Sequence, residues 1–161
     1  MAHEIEVIDG EEQMAYVGEV PWHGLGFKVD PDLTPAEFMV MAGLDWTVDL
    51  VDSFVTYKGK KIPTGQKSLV RSLDSKVLTN VGKGWNPVQN YDAFEFFDDY
   101  VKAGDMQMHT AGSLKDGQLV WALAKTNESF ELFKGDVTDN YFLFTNPHQY
   151  GKTINIRMTP V

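Results

Sequence analysis

Residues 111–125 read Ala-Gly-Ser-Leu-Lys-Asp-Gly-Gln-Leu-Val-Trp-Ala-Leu-Ala-Lys. Two apolar runs flank Lys115-Asp116-Gly117, and Asp-Gly supplies the positive φ angles that a two-residue type I′ turn requires. The spacing predicts a hairpin of Ala111–Leu114 and Gln118–Lys125. Leu119, Trp121 and Leu123 fall on one face of the second strand, and Val120, Ala122 and Ala124 on the other.

The reading extends outward in both directions. Downstream, Tyr141–Thr145 and Thr153–Met158 form a second pair around the loop Asn146–Lys152. Upstream, Asn90 is a fitting N-cap for a helix over Tyr91–Ala103. Ala93, Phe94, Phe97, Tyr100 and Val101 line its buried stripe, and Gly104 ends it. Leu69–Leu73 and Lys76–Val81 read as a hairpin turning at Asp74-Ser75. Trp46, Val48 and Leu50 alternate as a strand, continued by Phe54, Val55 and Tyr57 after a register change at Val51. Lys58–Lys67, with Gly59, Pro63 and Gly65, reads as an irregular loop. Thr34-Pro35-Ala36-Glu37 is a capping-box helix start, and the helix runs Pro35–Ala42 with Phe38, Met41 and Ala42 inward. The class is α+β: an antiparallel sheet of hairpins with two main helices packed on one side. Residues 1–20 are acidic and weakly periodic, and read as an N-terminal arm that orders against a partner. Residues 21–161 form a single domain.

The chain has 161 residues, a net charge of −9 and no cysteine. Absence of cysteine excludes disulfides, thiolate metal sites and thiol catalysis, and suits a reducing cytoplasm. No apolar run reaches the ~20 residues that span a bilayer. The mean charge conceals a division, because residues 1–57 carry −11, residues 58–83 carry +6, and residues 84–161 carry −4.

No phosphate-cradling or dinucleotide fingerprint occurs. His3, His23, His109 and His148 are separated by at least twenty residues, so no metal-binding helix pair exists. Asp92, Glu95 and Asp99 line one helix stripe, read first as a solvated face and second as a carboxylate metal site. Neither a metal nor a cofactor is expected, and no catalytic residue is assigned. The basic block joins Lys58, Lys60, Lys61, Lys67, Arg71 and Lys76 to Tyr57 and Trp85. It reads either as a solvated Lys-rich loop or as a single-strand binding surface, with cations on phosphates and aromatics on bases. Trp22 and His23, in Pro21-Trp22-His23-Gly24-Leu25-Gly26, form a turn that either anchors to the core or stacks on a ligand. Asn146 and His148 sit in a loop read as a polar hairpin connection or a binding loop.

Several motifs occur together: Met1-Ala2-His3-Glu4-Ile5-Glu6, Pro21-Trp22-His23-Gly24-Leu25-Gly26, Ala42-Gly43-Leu44-Asp45-Trp46, Pro87-Val88-Gln89-Asn90, Ala93-Phe94-Glu95-Phe96, Thr110-Ala111-Gly112-Ser113-Leu114 and Thr145-Asn146-Pro147-His148. In this order the chain resembles the phage/plasmid-like family, the bacterial domain of unknown function 932. The resemblance implies a mobile-element protein of a bacterial cytoplasm, whose relatives continue beyond the Thr-Pro-Val position into another strand and helix. It supplies no catalytic residues. At the level of element order, the chain is also similar to ring-forming single-strand annealing proteins.

Two functions are therefore expected in competition. One is a non-catalytic, self-associating protein that binds single-stranded DNA through residues 57–85. The other is a protein-interaction module, such as a host-defence antagonist or DNA mimic, acting through its acidic N-terminal third. A dispersed His/Asp metalloenzyme ranks last.

Overall fold

The computed structural model describes residues 4–160, so His3 and the start of the first motif lie outside the described residues. The strands are β1 (Val7–Ile8), β2 (Glu11–Glu12), β3 (Met14–Tyr16), β4 (Phe27–Lys28), β5 (Val48–Tyr57), β6 (Lys60–Arg71), β7 (Val77–Val81), β8 (Met106–Leu114), β9 (Leu119–Phe133), β10 (Asp136–Pro147) and β11 (Asn155–Pro160). The helices are α1 (Pro35–Met41), α2 (Asn90–Glu95) and α3 (Asp98–Lys102). The architecture is α+β.

The β8–β9 hairpin sits inside a six-stranded sheet of order β11-β10-β9-β8-β3-β4. Its register, Leu114↔Leu119 through Ala111↔Ala122, puts Val120, Ala122 and Ala124 on the buried face. The turn differs from a two-residue type I′ connection. Lys115, Asp116 and Gly117 all take positive φ, and Gln118 completes a four-residue loop. A side chain on Gly117 would meet the Arg71 guanidinium, which favours glycine there.

Helices pack on one face only. Phe144 of β10 meets Phe96 and Phe97 there, with ring centroids 5.9 and 6.4 Å apart. Thr34 caps α1 by accepting from the Glu37 N–H. Phe38 and Ala42 are buried, but Met41 is half exposed and Met39 packs against the core in its place. The second helix breaks in two at Phe96-Phe97, because both rings turn towards the sheet. Gln89 is its N-cap, and Asp92 accepts from the Gln89 N–H at 3.2 Å. Asn90 is instead buried in the first turn, donating to Leu44 O. Tyr100 remains exposed.

The acidic N-terminal stretch is not a separate arm. Tyr16 pairs with Thr110 on one side of β3 and with Lys28, in parallel, on the other, while Ala15 is fully buried. On the helix-free face, Gly112 of β8 lies directly under Trp121. A Cβ there would come within 2.3 Å of the ring and 2.7 Å of Gln13 O. Gly112→Ala is therefore expected to cost about 2 kcal/mol by overpacking, measurable as a lowered urea midpoint.

The three-stranded sheet has the order β5-β6-β7. Residues 58–67 are not an irregular loop: all but the turn Lys58-Gly59 belong to β6. Lys58 and Gly59, at φ 48° and 73°, make the tight turn from β5, and Tyr57 pairs with Lys60. Pro63 is tolerated because a register shift between Asp52 and Phe54 interrupts the ladder beside it, with Gly65 at φ 77° in the bulge. The shift falls at Ser53, two residues after the expected position.

Candidate nucleic-acid interface

β7 pairs with β6 only as far as Lys67↔Val81, whereas the β5–β6 ladder continues to Tyr57↔Lys60. Residues 54–66 consequently form an exposed two-stranded arm beyond the third strand. Strand pairing divides its side chains between two faces. Phe54, Pro63, Thr56 and Lys61 share one face; Val55, Ile62, Tyr57 and Lys60 share the other. Each face thus combines an aromatic ring, an aliphatic residue or proline, and a lysine.

Local contacts organise the tip. The Lys61 ammonium lies 4.1 Å from the Phe54 ring centroid, and the Lys58 ammonium lies 5.4 Å from that of Tyr57. Tyr57 is 60% exposed. From Ser53 to Leu73 the sequence contains no Asp or Glu, and it holds Lys58, Lys60, Lys61, Lys67 and Arg71. The tip therefore presents cations and ring faces without a neighbouring carboxylate on its own strands.

The structure unites Tyr57, Lys58, Lys60 and Lys61 and separates the remaining expected residues from them. Lys67, at the base of the arm, forms an ion pair with Asp52 at 2.8 Å. That pair holds the Asp52 carboxyl below its ordinary range. Lys76 is 3.5 Å from Asp116 beyond the far end of β7. Trp85 is half buried and packs against the core, so its ring is not an open stacking platform. Trp22 is exposed on the turn closed by Gly24 N donating to Pro21 O, and His23 Nδ1 accepts from Leu25 N.

Arg71 belongs to the interior. Its side chain is 1% exposed, with Nη1 2.7 Å from Glu6 and Nη2 2.7 Å from Asp74. Nε donates to Asp74 as well, completing a bidentate pair, and the guanidinium lies 5.1 Å from the Trp46 ring centroid. Burial works against this charge, but the hydrogen bonds it donates to Asp74 and Glu6 prevail and raise its pKa. Glu6 and Asp74 take the N–H edges of the guanidinium, Trp46 lies against one face, and the side chain is buried, so Arg71 is not presented to a phosphate.

Asn146 and His148 are also buried. Asn146 donates to Val88 O, and His148 Nε2 lies 2.9 Å from Asn90 Oδ1 while its ring stands 5.4 Å from Trp46. They tie the end of β10 to Val88 and to Asn90 at the start of α2, and offer no surface to a ligand. Among the described residues, no group of three or more His, Asp or Glu side chains is placed to hold a metal ion, and no helix is long and apolar enough to cross a membrane.

Sequence reasoning missed Phe54, Val55 and Ile62 as part of the tip, and Glu6 as the counter-ion of Arg71. The first three were visible as alternation on either side of Lys58-Gly59, once that dipeptide is read as a turn. Glu6 had no local signal, because its partner lies 65 residues away.

Fold and site together define an α+β protein with a cationic, aromatic hairpin arm. The model of the family described as domain of unknown function (DUF932) matches residues 77–161, just over half of the chain. The chain belongs to that family. The matched segment contains β7 to β11 with α2 and α3, and the arm precedes it. No curated protein and no solved structure matches the chain.

Proposed function

We propose that the protein is a non-catalytic accessory protein of a bacterial mobile element, phage or plasmid, acting in the cytoplasm. It binds single-stranded DNA through the tip of the β5–β6 arm, in the manner of recombination or annealing proteins. The observation that carries this reading is the clustering of Tyr57, Lys58, Lys60 and Lys61 on an exposed hairpin whose strands hold no acid from Ser53 onward. Lysines would contact phosphates, while Tyr57 and Phe54 offer ring faces to unpaired bases on opposite sides of the ribbon. The rival reading, an acidic docking surface over residues 1–57, has less support, since Glu6 is engaged by Arg71.

Salt dependence tests it. With three lysines (Lys58, Lys60 and Lys61) on phosphates, affinity for a labelled oligonucleotide should fall roughly 20-fold between about 50 and 200 mM salt, from a slope of about −0.7 per phosphate. Replacing Lys58, Lys60 and Lys61 together by alanine should flatten the slope by about 2, and Tyr57→Ala should cost about 1–3 kcal/mol. Fluorescence anisotropy reads all three quantities. Binding that is insensitive to salt, or unchanged in the triple variant, would remove the arm from the site.

A further inference from the structure

The arm has a complementary surface elsewhere on the same chain. Between α1 and α2 lies a cavity of about 210 Å³ lined by Ala36, Met39, Tyr91, Phe94, Glu95 and Asp98. Its floor is apolar and its rim carries two carboxylates. Glu37 and Asp92 extend the negative surface, and α1 and α2 contain no Lys or Arg. Asp98 has one cationic neighbour, Lys102 of α3, at 3.8 Å. Val40 and Tyr91, on the same helices, are exposed apolar groups. The arm tip inverts this chemistry, since Tyr57, Val55 and Ile62 are exposed apolar groups flanked by Lys58, Lys60 and Lys61. No arm residue lines the cavity of its own chain.

We infer that the cavity between α1 and α2 receives the arm tip of a second copy of this chain. The apolar side chains of the tip fill the cavity, and its lysines meet Glu95 and Asp98 at the rim. Charge complementarity selects the occupant. An anionic ligand is repelled by the rim, whereas the arm is the strongly cationic, partly apolar projection that the chain itself supplies. A bare two-stranded ribbon is marginally stable in water, and docking would cover it. The contact is head-to-tail, so each copy keeps one arm and one cavity open until a ring closes or a filament grows. Docking and nucleic-acid binding would draw on the same lysines, but the cavity side stands apart from the nucleic-acid reading and can be altered alone.

Sedimentation velocity at low and high salt provides the test, using the full chain. Wild type should associate to at least dimer at about 50 mM salt and dissociate at about 500 mM, as screening weakens the rim contacts. Two variants, Glu95→Lys with Asp98→Lys, and Lys60→Glu with Lys61→Glu, should each remain monomeric. An equimolar mixture of the two should associate again, because each restores the partner the other lacks, and that rescue also shows both variants are folded. Oligonucleotide anisotropy on the Glu95→Lys, Asp98→Lys variant should show undiminished binding, separating failure of docking from failure of the nucleic-acid reading. A wild type that stays monomeric at low salt, or variants that associate unmixed, would overturn the proposal.

Discussion

Arg71→Ala is expected to destabilise the protein by about 3–5 kcal/mol, the range for removing one partner from a buried ion pair. The cost arises from what remains. Glu6, whose side chain is 3% exposed, would keep its charge in the interior with the Ser113 hydroxyl as its remaining side-chain donor. Trp46 would lose the cation stacked on it, and a void would open beside Gly117. The damage would not be local, because Arg71 joins three parts of the fold. It ends β6, clamps the following turn through Asp74, and binds the N-terminal segment through Glu6, which is hydrogen-bonded to β8. Urea denaturation should show the loss as a lower midpoint at unchanged slope. The double variant Arg71→Met, Glu6→Gln should recover much of it, since no unpaired charge is then buried. If Arg71→Ala costs less than about 1 kcal/mol, the ion pair does not hold the sheets together.

The same residue shows where sequence reading reaches its limit. Helix α1 was legible because its signals are local: Thr34, Pro35 and Glu37 lie within one turn, and the cap forms as the spacing requires. The β8–β9 and β10–β11 pairings were legible because alternation has a fixed period, which separates the two faces of β9; that Val120, Ala122 and Ala124 form the buried one is set by the helices packed there. In sequence Arg71 reads as part of the basic surface because it lies between Lys67 and Lys76. Its burial depends on Glu6 and Trp46, distant in the chain, and no periodic pattern carries that information. Lys58–Lys67 reads as a loop in sequence because Pro63 and Gly65 oppose a regular strand. The bulge at Ser53 accommodates both; alternation along β5 shows a register change near it, but not which residues of β6 lie opposite. Residues 1–20 read as an arm because their strands are two or three residues long, too short for periodicity; β1 and β2 pair with each other, and β3 is held by pairing to β8 and β4. The site was half legible for the same reason: Tyr57, Lys58, Lys60 and Lys61 are neighbours in sequence, whereas Asn146 and His148 owe their burial to α2.

His148 gives the second large effect, a loss of stability on mild acidification. The ring is fully buried, and its pKa is lowered to about 4, first by burial and then by the charge of Arg71. Its hydrogen bond to Asn90 uses Nε2, and Nδ1 has no partner among the described residues, so a proton there would be an unsatisfied cation beside Trp46. In the unfolded chain the same imidazole titrates near 6.5. The unfolded state therefore takes up a proton that the folded state refuses. The stability this provides is fully present above about pH 6.5 and is lost as the pH falls towards 4, amounting to about 3 kcal/mol in total. His109, half-buried, is displaced in the same direction by burial and by Lys125, and adds to the slope. Asp74 also has a lowered pKa, through its hydrogen bonds with Arg71, but its contribution is lost only below the ordinary carboxylate value of 3.8. The two causes thus separate by pH. Urea midpoints measured at pH 7.5, 6.5, 5.5 and 4.5 should decline steadily below 6.5, and His148→Gln should flatten the decline while lowering stability at neutral pH. A midpoint constant from pH 7.5 to 4.5 would mean that His148 accepts its proton in the folded protein, and that the pocket between Trp46 and Asn90 admits water.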